Sequence, residues 1–148
     1  MNSEANIQFR LRSIEELSFS YAATLFSTLD ITEHNLGVQY VSQSYIDVDT
    51  HSIKQKVGVK YHFQETELMQ LEMLFVFRFE DLNSLVIIDR DNHQLEFKAN
   101  LIPSLVNIAI GGLRGVLYEK TKATPLACYP LPLVDVQQLM KHNSYHIE

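Results

Sequence analysis

The sequence predicts an α+β domain with its strands first and its helices last, and three observations carry that reading. From Ile7 to Glu80 apolar and polar residues alternate, the two-residue period of strands with one buried face. From Asn100 to Lys120 the apolar spacing changes to three and four, the period of a helix. A Pro-Leu-rich extended segment, Pro125 to Leu133, then leads to a short amphipathic helix opening at Asp135. A run of strands followed by a helical pair is the order of an α+β domain, not of a parallel α/β fold.

The first alternating run places Ile7, Phe9 and Leu11 on one side and Gln8, Arg10 and Arg12 on the other. Further on, Glu15, Leu17, Phe19 and Tyr21 share a side against Glu16, Ser18 and Ser20, so the segment reads as one long strand with a disturbance near Ser13 and Ile14. A second strand, Asn35 to Asp49, carries Leu36, Val38, Tyr40, Ile46 and Val48 on one face, with Ser42 and Ser44 thinning its middle. The third has the sharpest pattern: Ile53, Val57, Val59, Tyr61 and Phe63 against Lys54, Lys56, Lys60, His62 and Gln64. One face is buried and one wet. The fourth alternates Met69, Leu71, Met73, Phe75, Phe77 and Phe79, yet Leu68, Leu74 and Val76 make its other side partly apolar. Short polar connections, Thr50 to Ser52 and Gln64 to Glu67, fit hairpins, so strands two to four form an antiparallel meander.

Ile102, Leu105, Val106, Ala109, Leu113, Val116 and Leu117 fall on one helical stripe, with Asn100 as the cap and Pro103 tolerated in the first turn. Gly111, Gly112 and Gly115 in its interior each cost about 1 kcal/mol against alanine. A kink would explain them; so would close approach of another backbone, either the sheet or the same helix of a second subunit. Gly111 and Gly115, four residues apart, are read as a subunit contact.

At 148 residues the chain fits one domain spanning 1–148, able to bury about 70% of the surface exposed when unfolded. Its single cysteine, Cys128, cannot pair within the chain. No stretch resembles a signal peptide or an uninterrupted apolar run of about 18 residues, so a reducing, cytoplasmic home without membrane insertion is expected. A net charge of −6 repels phosphate backbones and argues against nucleic acid as a partner.

No glycine-rich nucleotide loop, nucleophile elbow or paired-cysteine motif occurs, and no catalytic residue is assigned. Asp47-Val-Asp49-Thr-His51-Ser begins like a calcium loop, but Ser52 replaces the glycine and Gly58 the closing glutamate, which leaves a turn. His142 and His146 have the spacing of a helical metal pair without a third ligand, and are read as part of a frayed, solvated tail, so no metal or other cofactor is expected. Asp89-Arg90-Asp91 reads as a solvated connection.

The run Ile7-Gln-Phe-Arg-Leu-Arg-Ser-Ile-Glu-Glu-Leu-Ser-Phe-Ser20, the four strands, the Asn100 to Pro103 helix start and the Pro-Leu-rich segment before a helix with Asp135 and Leu139 together resemble the SecB-type export chaperones and their SecB-like relatives. The resemblance covers nearly the whole chain and rests on the order of elements. It implies a four-stranded antiparallel sheet with two C-terminal helices on one side, assembly as a homodimer or homotetramer, and ATP-independent holding of unfolded or precursor polypeptides in an apolar groove. It further implies delivery to the SecA motor through acidic residues on the sheet.

In this sequence those acids fall on Glu16 and Glu72, while Ser20 stands where a second first-strand acid is expected. The arginine usual after the helix start has no counterpart, and Pro132-Leu-Val-Asp135 replaces a Pro-x-Asn-Phe-Asp pattern. These departures weigh against SecA docking and for an alternative: a SecB-fold protein dedicated to one specific protein partner. The groove is expected where Thr121 to Pro132 crosses the sheet, with Met73, Phe75 and Phe77 beneath and Leu126, Tyr129 and Leu131 as walls. Flexible methionines and aromatics suit a surface that repacks around many chains, although the same residues serve equally as plain core.

Overall fold

The alternating segments become four long strands in the computed structural model, which describes residues 8–98 and 100–148: β1 (Phe9–Tyr21), β2 (Gly37–Asp47), β3 (Ser52–Phe63) and β4 (Thr66–Phe79). Tight turns through His51 and Gln64, both in the left-handed region with φ of 52° and 53°, join β2 to β3 and β3 to β4. The expected meander is present, and β1 lies antiparallel on the far side of β4. Ile7 lies outside the described residues.

The sheet has five strands rather than four, and it is mixed. Its order is β1-β4-β3-β2-β7, where β7 (Ser144–Ile147) runs parallel to β2. Residues expected to fray thus close part of an edge whose backbone donors and acceptors are otherwise unpaired. Elsewhere short elements escape the periodicity. Helix α1 (Ala23–Thr28) buries Phe26, β5 (Val86–Asp89) and β6 (Gln94–Phe97) form a separate hairpin, and Pro125–Cys128 coils into a 3-10 turn inside the segment read as extended. The Asp89-Arg90-Asp91 run is the turn of that hairpin, where hydrogen bonds from Asn92 hold the Asp89 carboxyl below its ordinary pKa.

The break in β1 is a pair of bulges, at Arg12 between Leu11 and Ser13 and at Leu17 between Glu16 and Ser18. Each extra residue reverses which side chains face the core. Ile14 and Glu16 therefore stand opposite Phe75 and Met73 on the inner face, whereas Glu15 stands opposite Leu74 on the outer one. Simple alternation, which grouped Glu15 with Phe19, fails at that point.

Helix α2 (Leu101–Thr121) lies on the inner face with Leu101, Ile102, Leu105, Val106, Ala109, Ile110, Leu113 and Leu117 buried against β3 and β4. Asn100 caps through its backbone and not its side chain: the amide and hydroxyl of Ser104 donate to its carbonyl at 3.1 and 2.7 Å. The three glycines separate by function. A Cβ on Gly112 would sit 2.6 Å from the ring of buried Phe75, so here the helix needs glycine to approach the sheet. Gly111 and Gly115 have nothing within 4 Å of where a Cβ would stand. By length and composition α2 is apolar enough to cross a membrane, but its apolar stripe is the cover of the sheet.

The serines that thin β2 are not a weakness. Ser42 donates to Asn143, Asn143 to Ser44 at 3.0 Å, Ser44 to Gln55, and Gln55 back to Ser42 at 3.1 Å, closing a buried ring in which every member both gives and accepts. A fully satisfied polar ring specifies one arrangement, because any slip leaves buried groups unpaired. It joins β2 and β3 to the turn that follows α3 (Val136–Met140), a helix opened by the Asp135 carboxylate, which accepts from the amides of Gln137 and Gln138.

Opposite signs are expected for two alanine substitutions one residue apart. Gly111→Ala will stabilise the protein by up to about 1 kcal/mol through helix propensity. Gly112→Ala gains the same propensity but forces Phe75 aside, and overpacking of about 1–3 kcal/mol makes it destabilising. Denaturant midpoints of the two variants check this; a stabilised Gly112→Ala would show that the close approach to Phe75 is not as described.

Candidate functional site

Between the outward side of α2 and the segment after it lies a cleft of about 420 Å³, with Gly111, Arg114, Gly115, Tyr118, Leu126 and Leu131 among its lining residues. Its geometry follows from local chemistry. The Thr124 hydroxyl donates to the Thr121 carbonyl at 2.8 Å and accepts from the Leu126 amide at 3.2 Å, which starts the 3-10 turn and drives Leu126 into the core. Leu131, also buried, fixes the other end. Arg114 donates through Nη2 to the Pro132 carbonyl at 3.3 Å, while its buried Nε has no partner among the described residues. The chain is thereby held across the mouth of the cleft.

Tyr129 ties this segment to the rest of the fold. Its carbonyl accepts from the Tyr61 hydroxyl at 2.9 Å, and its own hydroxyl donates to Ile31 at 3.1 Å. Burial, reinforced by Tyr40, pushes the Tyr61 hydroxyl up to about 12, so the donor keeps its proton far above neutrality. Burial also raises Tyr40, with the Arg114 guanidinium acting against it, which relates the β2 edge electrostatically to the cleft.

The residues assigned from sequence distribute unevenly. Leu126 and Leu131 line the cleft, and half-buried Tyr129 packs on Phe26 beside it with ring centroids 6.5 Å apart. Met73, Phe75 and Phe77, expected as groove floor, are 3%, 1% and 0% exposed and form core under α2. The helix, not the fourth strand, supplies the facing wall. Gly111 and Gly115 do lie on the exposed side of α2, at the cleft.

Glu16 and Glu72 occupy opposite faces of the sheet. Glu16 is on the inner face and pairs with Lys120 at 2.6 Å; Glu72 is on the outer face and pairs with Lys56 at 3.4 Å. One chain therefore presents no single surface containing both. Cys128 is exposed, His142 follows the end of α3, and His146 lies on β7 with its ring 4.8 Å from that of Tyr45. Among the described residues no group of three potential metal ligands forms. The Asp47 carboxylate accepts from the amides of Asp49 and Thr50, as a turn and not a calcium loop requires.

Sequence reasoning missed the uncovered apolar surface. Leu11, Ile14 and Leu17 on β1 are 42%, 51% and 45% exposed, and Ile108 and Tyr118 stand out from α2. The double bulge was the available signal, since it marks an edge strand whose apolar residues do not all reach the core.

These features define a one-sided α+β protein: a broad sheet, a single long covering helix and an apolar cleft at the margin of that helix. No protein-family model matches the chain, and no curated protein does. Among solved structures it is similar to a SecB-like chaperone of Mycobacterium tuberculosis, determined in complex with a ChAD peptide from the HigA1 antitoxin. The TM-score is 0.51 at 14% identity, over 85% of this chain and 86% of that one. The fold is SecB-like.

Burial of the Tyr61 hydroxyl has a pH signature. In the unfolded chain the hydroxyl ionises near 10.0, in the folded protein near 12, so between these values the unfolded state holds fewer protons. The stabilisation is whole below pH 10 and is lost as pH rises through the folded value. Tyr61→Phe will cost about 1 kcal/mol at neutral pH, where the Tyr129 carbonyl loses its donor. It will also flatten the decline between pH 10 and 12 in denaturation curves; an unchanged alkaline decline would remove Tyr61 as its source.

Proposed function

We propose that this chain is a SecB-like chaperone that holds an apolar segment of another polypeptide without nucleotide and without chemistry of its own. The observation that carries the reading is the cleft between α2 and Leu126 to Leu131, continuous with apolar side chains on the helix exterior that the chain itself leaves uncovered. Contiguous exposed apolar surface marks sites of association. The peptide bound to the SecB-like chaperone of similar fold supports the same use here.

A second reading, service to one dedicated protein partner, is favoured by the acidic residues. Glu16 and Glu72 face opposite ways and each already holds a lysine, which is poor geometry for delivery to SecA.

Self-association belongs to the proposal. β1 is an edge strand, basic at Arg10 and Arg12 and acidic at Glu15 and Glu16, so an antiparallel pair of such edges sets opposite charges against each other. The smooth strip at Gly111 and Gly115 gives a second helix room to approach.

At modest molar excess the protein will suppress aggregation of several unrelated denatured proteins, measured by light scattering. Suppression of none, together with copurification of one stoichiometric partner, would replace general holding by the dedicated reading; neither result would end both. Gly115→Leu will lower the native mass in sedimentation, and an unchanged mass would exclude the glycine strip as a subunit contact.

A further inference from the structure

The cleft beside α2 is apolar in all but one respect. Glycines, leucines, an alanine and a proline make up most of its lining, and Arg114 is the charged residue among them. The lining runs past Arg114 in both directions, with Gly111 almost one helical turn before it and Tyr118 and Thr121 one and two turns after it. A guanidinium therefore stands partway along an apolar trough.

Arg114 differs from the other cations of the chain. Arg10, Arg12, Arg78 and Arg90 are exposed to water, whereas Arg114 is half-buried. The lysines of β3 and α2 each hold a glutamate: Lys54 holds Glu148, Lys56 holds Glu72, Lys60 holds Glu67 and Lys120 holds Glu16. Arg114 holds no carboxylate among the described residues. Its bond from Nη2 to the Pro132 carbonyl is long, at 3.3 Å, and ends on a neutral group, while its buried Nε has no partner among the described residues. A charge drawn out of water without a counter-charge is costly, and a guanidinium presents a planar fork that fits a carboxylate. The trough thus has one polar requirement, and this chain leaves it unmet.

We propose that Arg114 sets the specificity of the cleft: the segment held there is an apolar stretch of another polypeptide with an aspartate or glutamate in its interior, whose carboxylate pairs with the guanidinium. This rests on the polypeptide-holding reading and names the chemical class of segment that is held. Apolar neighbours of the acid lie against Leu126 and Leu131. The acid is a side chain and not a chain terminus, because the trough continues on both sides of Arg114. A second copy of this chain is a poor source for it. The α2 that would approach along Gly111 and Gly115 has Glu119 as its one acid, and Glu119 is already paired with Lys122 at 2.9 Å. Long-range attraction does not produce the preference either, since a net charge of −6 favours a basic segment over an acidic one. Selection for an acid arises only locally.

Fluorescent, end-blocked peptides titrated by anisotropy against the full chain test this. One has the sequence Gly-Ser-Leu-Ala-Leu-Glu-Leu-Ala-Ser-Gly, and its two relatives carry glutamine or lysine in place of the glutamate. The glutamate peptide is expected to bind at least about fivefold more tightly than the glutamine peptide, and the lysine peptide most weakly. In Arg114→Gln the advantage of glutamate is lost; in Arg114→Lys it survives in part. Arg114 also holds Pro132, so the readout is the ratio between peptides within one protein, which a loosened segment alone would not shift. Equal affinities or a preference for lysine in the unmodified protein, or an undiminished glutamate preference in Arg114→Gln, would overturn selection for an acid while leaving polypeptide holding in place. Binding of none of the peptides would instead sink the holding reading on which the inference stands. Native mass in sedimentation is expected to be unchanged in Arg114→Gln; a lower mass would assign Arg114 to a contact between copies of this chain and contradict the proposal.

Discussion

The fold depends on a mismatch of width between one helix and one sheet. An α-helix with its side chains is roughly 10–12 Å across, whereas five strands spaced about 4.8 Å apart place the outer strand axes roughly 19 Å from each other. α2 settles over the middle, on β3 and β4, where Gly112 lets it come down onto Phe75. The margins must be covered by other means. On the β2 side Leu126, Leu131 and the short α3 fill in; on the β1 side Phe26 and the reach of Lys120 to Glu16 and Phe19 cover only part of the strand. Leu11 and Ile14 are left open, and at Gly111 and Gly115 the outer face of α2 has, among the described residues, nothing within 4 Å of where a Cβ would stand.

What the sequence revealed was whatever depends on period alone. β3 and β4 were legible because one face is core along nearly their whole length, although β4 also carries apolar residues on its other side, and the stripe of α2 was readable for the same reason. The disturbance in β1 was visible as a break but not as two bulges, since a bulge is defined by the partner strand. Ser42 and Ser44 looked like thinning because the group that completes their ring, Asn143, lies 101 and 99 positions away. Short elements such as α1, the β5–β6 hairpin and β7 carry too few residues to establish a period, and each exists through tertiary contact.

The candidate site was legible in part for a related reason. Composition identifies Met73, Phe75 and Phe77 as apolar and adaptable but cannot say whether a helix covers them, and α2 does. Leu126 and Leu131 were found because proline and leucine in a connection between helices must pack somewhere. The relative facing of Glu16 and Glu72 depends on the register between β1 and β4 and on the bulge at Leu17, neither of which local spacing encodes.

Shape and incomplete coverage together fit the proposed task of burying another chain's apolar surface alongside the protein's own. Polar chemistry is spent inside, in a closed ring that fixes the root of β7, and at the cleft Arg114 and Tyr129 anchor the connecting segment. Heat-capacity change is the most direct measure of that task, because burial of apolar surface on binding makes it negative. Calorimetric titration of the protein with a permanently unfolded polypeptide at several temperatures should give saturable binding whose enthalpy becomes more favourable as temperature rises. Absence of binding heat at every temperature, or an enthalpy independent of temperature, would contradict the account.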